Sequence, residues 1–178
     1  MIERMHPLAD RAAFVPDCAT VSLSRVPSLT RLSVRTTPDA TPATGKALGI
    51  PLPTTPCRTN RTDGRAALWL GPDEWLVIAD LDMPLPVTLP NASIVDVSHA
   101  IIGIVVSGPR AAWAINAYCA LDLHPTNFPV GMCTRTLFGK AQIILWRLDI
   151  EVFRIEVARS IAPYVWDLLE EARREFLT

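Results

Sequence analysis

The chain has 178 residues, 49% of them hydrophobic, with 17 Lys plus Arg against 18 Asp plus Glu. That length can bury a real core within a single domain. The balanced charge without a basic cluster excludes the footprint of a nucleic-acid or anionic-membrane binder, and no apolar run reaches the roughly eighteen residues of a bilayer span.

The first seven residues, Met1 to Pro7, carry an acid and no apolar core of a signal peptide, so a cytoplasmic location is expected. Cys18, Cys57, Cys119 and Cys133 are scattered and form no Cys-x-x-Cys pair, which argues against a redox motif or a zinc knuckle. The apolar excess fits a subunit that covers part of its surface with partners.

Residues 1–19 mix charges with Pro7 and Pro16 and read as an N-terminal arm. From Thr20 to Arg35, Val21, Leu23, Val26, Leu29, Leu32 and Val34 alternate with polar residues, which predicts two half-buried strands around Pro27. Residues 36–65 are rich in Thr and Pro and predict loop, with one helical turn around Ala43–Leu48. Ala66–Ala79 predicts a hairpin, because Gly71-Pro72-Asp73 has tight-turn chemistry and Trp69 and Trp75 flank it. A Pro-rich connection, Met83–Pro90, leads to a short strand at Ile94–Val97.

The longest apolar run, Ile101–Val106, is β-branched and predicts a central buried strand. Ser107 and Gly108 break it, and Pro109 is placed to open a helix running to Cys119. Leu121–Gly131 is an irregular loop. Strands at Thr134–Phe138 and Ala141–Arg147 surround Gly139, and Val152–Ala158 is a third, with Arg154 and Glu156 on a wet face. Ser160 is the expected cap of a final helix whose apolar stripe, Ile161, Val165, Leu168, Leu169, Ala172 and Phe176, lies opposite Glu170, Arg173 and Arg174.

The segment Val34–Pro53 echoes Val106–Pro125 in spacing, which points to an internal duplication. The expected organisation is an arm at 1–19 and one α+β domain at 20–178, built of pseudo-repeat halves at 20–92 and 93–178. Two β-α-β-β units would then share a mixed or antiparallel sheet.

Few residues offer chemistry. Asp96, Ser98 and His99 have the side-chain types of an acyl-transfer triad, but neighbours on a strand point to opposite faces, and no Gly-x-Ser-x-Gly elbow is present. Cys119, His124 and Cys133 fall one ligand short of a closed zinc site. Trp69, Asp73, Glu74 and Trp75 in the hairpin are candidates for partner contact. Asp96, Ser98 and Arg135 are the pocket candidates if a folate binds. No catalytic residue and no metal ligand set is assigned, and no phosphate-binding glycine loop exists.

Six stretches carry a resemblance. Leu-Gly-Pro-Asp-Glu-Trp-Leu-Val (70–77), Val-Asp-Val-Ser-His (95–99), Ser-Gly-Pro-Arg-Ala (107–111), Leu-Asp-Leu-His-Pro (121–125), Phe-Pro-Val-Gly-Met-Cys-Thr-Arg-Thr (128–136) and Arg-Ser-Ile-Ala-Pro-Tyr-Val-Trp (159–166) occur in order. From about Ala66 onward the chain resembles the gamma subunit of heterotetrameric sarcosine oxidase, whereas its N-terminal third departs from that pattern.

The resemblance implies a fold like the folate-binding domain of the glycine cleavage T protein and a non-catalytic place beside alpha, beta and delta subunits. The implied reaction is oxidative demethylation of sarcosine to glycine, with hydrogen peroxide and methylenetetrahydrofolate as the other products. FAD, FMN, NAD and tetrahydrofolate would sit on the larger chains and zinc on delta, with no cofactor assigned to this chain. Two alternatives remain open: a free-standing folate-binding protein related to aminomethyltransferases, and an assembly subunit for an oxidase of another N-methyl amine. The Lys-Gly-Cys-Tyr-x-Gly-Gln signature of the iron-sulfur repair branch of this fold is absent.

Overall fold

The computed structural model of the protein describes residues 7–12, 20–81 and 89–176. Cys18, most of the arm, most of the Met83–Pro90 connection and the side chain of Phe176 lie outside the described residues.

A short helix α1 (Ala9–Ala12) precedes β1 (Ser22–Arg25), β2 (Thr30–Thr36), α2 (Thr41–Ala47), β3 (Thr59–Thr62), β4 (Arg65–Gly71) and β5 (Glu74–Ala79). The chain continues through β6 (Ala92–Asp96), β7 (Ile101–Ser107), α3 (Ala111–Asn116), β8 (Cys133–Phe138), β9 (Ala141–Asp149), β10 (Val152–Ala158) and α4 (Ala162–Arg173). It divides into two compact units, one of 1–27, 100–130 and 135–178, the other of 28–99 and 131–134.

The α+β class holds, and the strand-helix-strands motif occurs twice, as β2-α2-β3-β4-β5 and β7-α3-β8-β9-β10. The expectation of one shared sheet is corrected, since the strands form two five-stranded sheets, β1-β7-β10-β9-β8 and β6-β2-β5-β4-β3. The two orders are equivalent position by position, except that the strand preceding each motif, β1 or β6, is exchanged. β1 pairs antiparallel with β7, Ser22 opposite Ser107, while β6 pairs antiparallel with β2, Thr36 opposite Ala92. Each sheet therefore has its outermost strand from the other half of the sequence, an arrangement that local periodicity cannot reveal.

In the first unit, Ile104, Ile155 and Leu145 stand in register across β7, β10 and β9, and all three are fully buried. β-branched and long apolar side chains at alternate positions build this layer, because a strand sends every second side chain to one face. α3 packs against α4 and β10, and Ala111, Ala114, Ile115, Val165, Trp166 and Leu169 are buried on the two helices.

Gly108 follows β7 with φ +115°, and a Cβ there would stand 2.5 Å from the Thr20 carbonyl oxygen, so only glycine fits. This turn moves the expected helix start: Pro109 and Arg110 belong to the turn, and Arg110 is the N-cap of α3.

In the second unit, Leu32, Val34, Leu48, Ile50, Leu52, Ala67, Trp75 and Val77 form the core. The helical turn expected around Ala43–Leu48 is α2, and the remainder of 36–65, expected as loop, also contains β3. β3 reads Thr-Asn-Arg-Thr and pairs with β4 at the sheet edge, where solvated side chains suffice and leave no apolar alternation to detect.

Three further expectations are corrected. The cap of α4 is Ile161 without a side-chain hydrogen bond, because a turn from Ala158 to Ile161 delivers the chain past Ser160. Arg173 is fully buried and bonds Glu170 at 2.7 Å, so it does not belong to the wet face of α4. The face of β10 read as wet holds Glu156 at 1% exposure. Arg154 donates to it from Nε at 2.6 Å, which supplies the countercharge a buried carboxylate needs.

Candidate functional site

Asp96 ends β6 and is exposed. Its Oδ1 accepts the Ser98 backbone N–H at 2.8 Å and the Ser98 hydroxyl at 2.5 Å, while Ser98 Oγ accepts the Arg31 backbone N–H at 2.9 Å. These are turn-forming bonds, and they spend the serine hydroxyl proton on the carboxylate. The Ser98 hydroxyl and then its backbone N–H hold the Asp96 carboxyl below its ordinary value.

A depressed carboxyl stabilises the fold above its unfolded pKa, and the contribution is lost as pH falls through the lower folded value. Asp96→Ala is expected to cost no more than about 0.5–1 kcal/mol at pH 7, the low end for a lost capping bond, because the exposed carboxylate is screened by solvent. The gap from wild type should close below the ordinary value of 3.8. Thermal midpoints measured from pH 7 down to pH 3 check this.

Arg135, the other folate-pocket candidate, belongs to the other compact unit. It lies on β8 and lines a cavity of about 690 Å³ with Tyr118, Leu137 and Gln142. Asp96 and Ser98 bond each other within a turn of the 28–99 unit and line neither this cavity nor the other two described here.

In the hairpin, Trp69 and Trp75 are cross-strand partners. Trp75 is 2% exposed and donates its indole N–H to the Pro53 carbonyl at 2.7 Å, and Trp69 packs against the same core. Asp73 and Glu74 face Arg35, at 3.6 and 3.2 Å.

Cys119 is buried, and His124 Nδ1 accepts the Thr126 backbone N–H at 3.3 Å. Cys133 points its thiol at the carbonyls of Arg58 and Trp69, and burial pushes its pKa up to about 12, so it stays a thiol at neutral pH. Among the described residues no three His, Cys, Asp or Glu side chains group to hold a metal ion.

The sequence reading missed Arg147. It sits at the end of β9, is 3% exposed, and gives four of its N–H groups to main-chain carbonyls. Nη1 bonds the Leu123 and Phe128 oxygens at 3.0 and 2.9 Å, Nε the Asp149 oxygen at 3.3 Å, and Nη2 the Ile150 oxygen. The guanidinium lies 4.8 Å from the Phe153 ring centroid. Burial lowers its pKa, and it has no carboxylate partner among the described residues. Its one signal in the sequence is a cation ending an apolar strand.

Arg147, Phe153, Leu123, His124, Trp113 and Pro109 line a cavity of about 450 Å³ in the first unit. Its walls are mainly apolar, with Asn116, His124, Arg147 and Glu151 as the polar members.

Residues 35–175 match the sarcosine oxidase, gamma subunit family. The chain belongs to that family. The sarcosine oxidase subunit gamma of Corynebacterium sp. (strain U-96) is 32% identical over 94% of this chain and 86% of its own length. The subunit gamma of Arthrobacter sp. is 32% identical over 79% of this chain and 73% of its own.

A chain of the heterotetrameric sarcosine oxidase from Corynebacterium sp. U-96, solved with pyrrole 2-carboxylate, superposes with a TM-score of 0.86 at 28% identity, covering 98% of this chain and 97% of that one. The glycine cleavage system aminomethyltransferase T of Bartonella henselae matches with a TM-score of 0.60 at 12% identity, over 85% of this chain and 46% of that one, which establishes the shared fold. The gamma-subunit family thus has a T-protein-like fold, as the six motifs implied. No helix among the described residues is long and apolar enough to cross a membrane.

Proposed function

We propose that this chain is the gamma subunit of a heterotetrameric sarcosine oxidase, assembling in the cytoplasm with alpha, beta and delta chains and supplying shape and apolar surface without a reactive group of its own. Agreement in sequence and fold over nearly the whole chain with a subunit of such an assembly carries the reading. Exposed Trp113, Ile150 and Leu137, each at least 60% accessible, support it, because large apolar side chains left in water are commonly interface residues. The hairpin tip at Asp73 and Glu74 would add polar contact. FAD, FMN, NAD and tetrahydrofolate would be held by the larger chains and zinc by delta.

Co-expression with the other three chains tests this. The expected product is one flavin-containing species that consumes oxygen with sarcosine, while the isolated chain turns nothing over. A chain that stays apart from its co-expressed partners, or that acts on a substrate unaided, overturns the proposal. The fold match to an aminomethyltransferase favours a second reading, a folate binder in its own right. Tight binding of tetrahydrofolate by the isolated chain would support it. Oxygen uptake by the assembly with other N-methyl amines separates sarcosine from its relatives.

A further inference from the structure

The cavity beside Trp113 has a counterpart in the second unit. There, α2 and the segment after it line a cavity of about 610 Å³, and the two linings correspond at an offset of 71 positions: Pro38 with Pro109, Pro42 with Trp113, Leu52 with Leu123. The groove is therefore a product of the repeated strand-helix motif, and the differences between its copies mark what has been added to one of them. The α2 copy is walled by prolines, glycines and threonines with Lys46 and the buried Ile50 and Leu52, and has no aromatic side chain. The α3 copy carries Trp113 and Ile150 at its mouth, each 65% exposed, with Arg147 in its wall.

Two features of this copy are costly in an isolated subunit. An indole and an isoleucine stand in water, and a buried guanidinium has carbonyl partners but no anionic one among the described residues. A second cation, Arg110, lies 5.4 Å from the Trp113 ring centroid. Glu151, the one acid among the lining residues, is exposed. Trp and Arg framing a concave apolar site are the residue types that dominate binding energy at interfaces.

We infer that this cavity is the socket for a segment of a partner subunit that inserts an apolar side chain against Trp113 and Ile150 and brings an acidic side chain towards Arg147 and Arg110. The inference rests on the proposed role as an assembling subunit. The apolar insert removes both large side chains from water, and the acid provides a countercharge to Arg147, whose own partners are carbonyl oxygens, and to Arg110.

The test uses the complete complex, formed by co-expression with the alpha, beta and delta chains. The tag is on a partner, and the dissociation constant is read from the fraction of this chain retained on dilution. Trp113→Ala is expected to weaken assembly about thirtyfold, as for truncation of a central interface tryptophan. Trp113→Glu should be at least about tenfold weaker than Trp113→Lys, because only the former opposes an acidic insert. Thermal midpoints of the free variants should match wild type, since the side chain is mostly in water.

Full assembly by Trp113→Ala, or equal assembly by Trp113→Glu and Trp113→Lys, overturns this inference while leaving the role in the complex intact. Failure of the wild-type chain to assemble removes the role and the socket together.

Discussion

Arg147→Met is expected to lower the unfolding free energy by about 3–5 kcal/mol, the loss seen when one side of a buried charge-assisted network is deleted. Methionine fills much of the volume but cannot donate, so the carbonyls of Leu123, Phe128, Asp149 and Ile150 lose their shared donor. Two of these carbonyls belong to the irregular 121–131 segment, which has few ladder bonds of its own, so the loss should also open that segment to proteolysis. Arg147→Lys should recover only part of the stability, because an ammonium cannot reproduce the planar fork of a guanidinium. Urea titration with a check that the slope is unchanged measures both variants. Wild-type stability in Arg147→Met would show that water replaces the guanidinium without cost.

Trp75→Ala should be comparably severe, about 3–5 kcal/mol, because it empties the centre of the second core. The indole is 2% exposed among Leu32, Val34, Leu48, Ile50 and Leu52. Its N–H also satisfies the Pro53 carbonyl, in a segment whose prolines supply few donors. Trp75→Phe separates the two contributions: it keeps most of the apolar contact, loses the hydrogen bond, and should cost about 1–2 kcal/mol. Equal losses in the two variants, read by denaturant titration, would assign the whole effect to the hydrogen bond.

Where structure follows from neighbouring residues, it was legible in the sequence. Gly71-Pro72-Asp73 specifies its hairpin locally, and strict alternation in Val152–Ala158 identifies a strand without any knowledge of its partners. Burial was harder, because it depends on what lies over a side chain. Glu156 and Arg173 carry the composition of solvated positions, yet both are covered, each with an opposite charge beside it.

Among the candidate site residues, the polar connection formed by Asp96, Ser98 and His99 after a short strand was legible, although Ser98 and His99 lie in the turn beyond β6, where the alternation of a strand does not apply. That the Ser98 hydroxyl serves Asp96 was not legible, since the turn that joins them depends on Arg31, far away in the sequence. The role of Arg147 was hidden for the same reason, because its partners come from a loop whose path has no periodic signal.

The strand exchange has a consequence for synthesis. β1 emerges early, but its ladder partner is β7, so Ser22 cannot find Ser107 until the ribosome has made most of the intervening halves. At roughly 5–20 residues per second, that leaves an unpaired edge on the nascent chain for on the order of ten seconds. Its sequence, Ser-Leu-Ser-Arg, has a single apolar residue and ends in a charge, a composition that gives other nascent chains little to pair with during the delay.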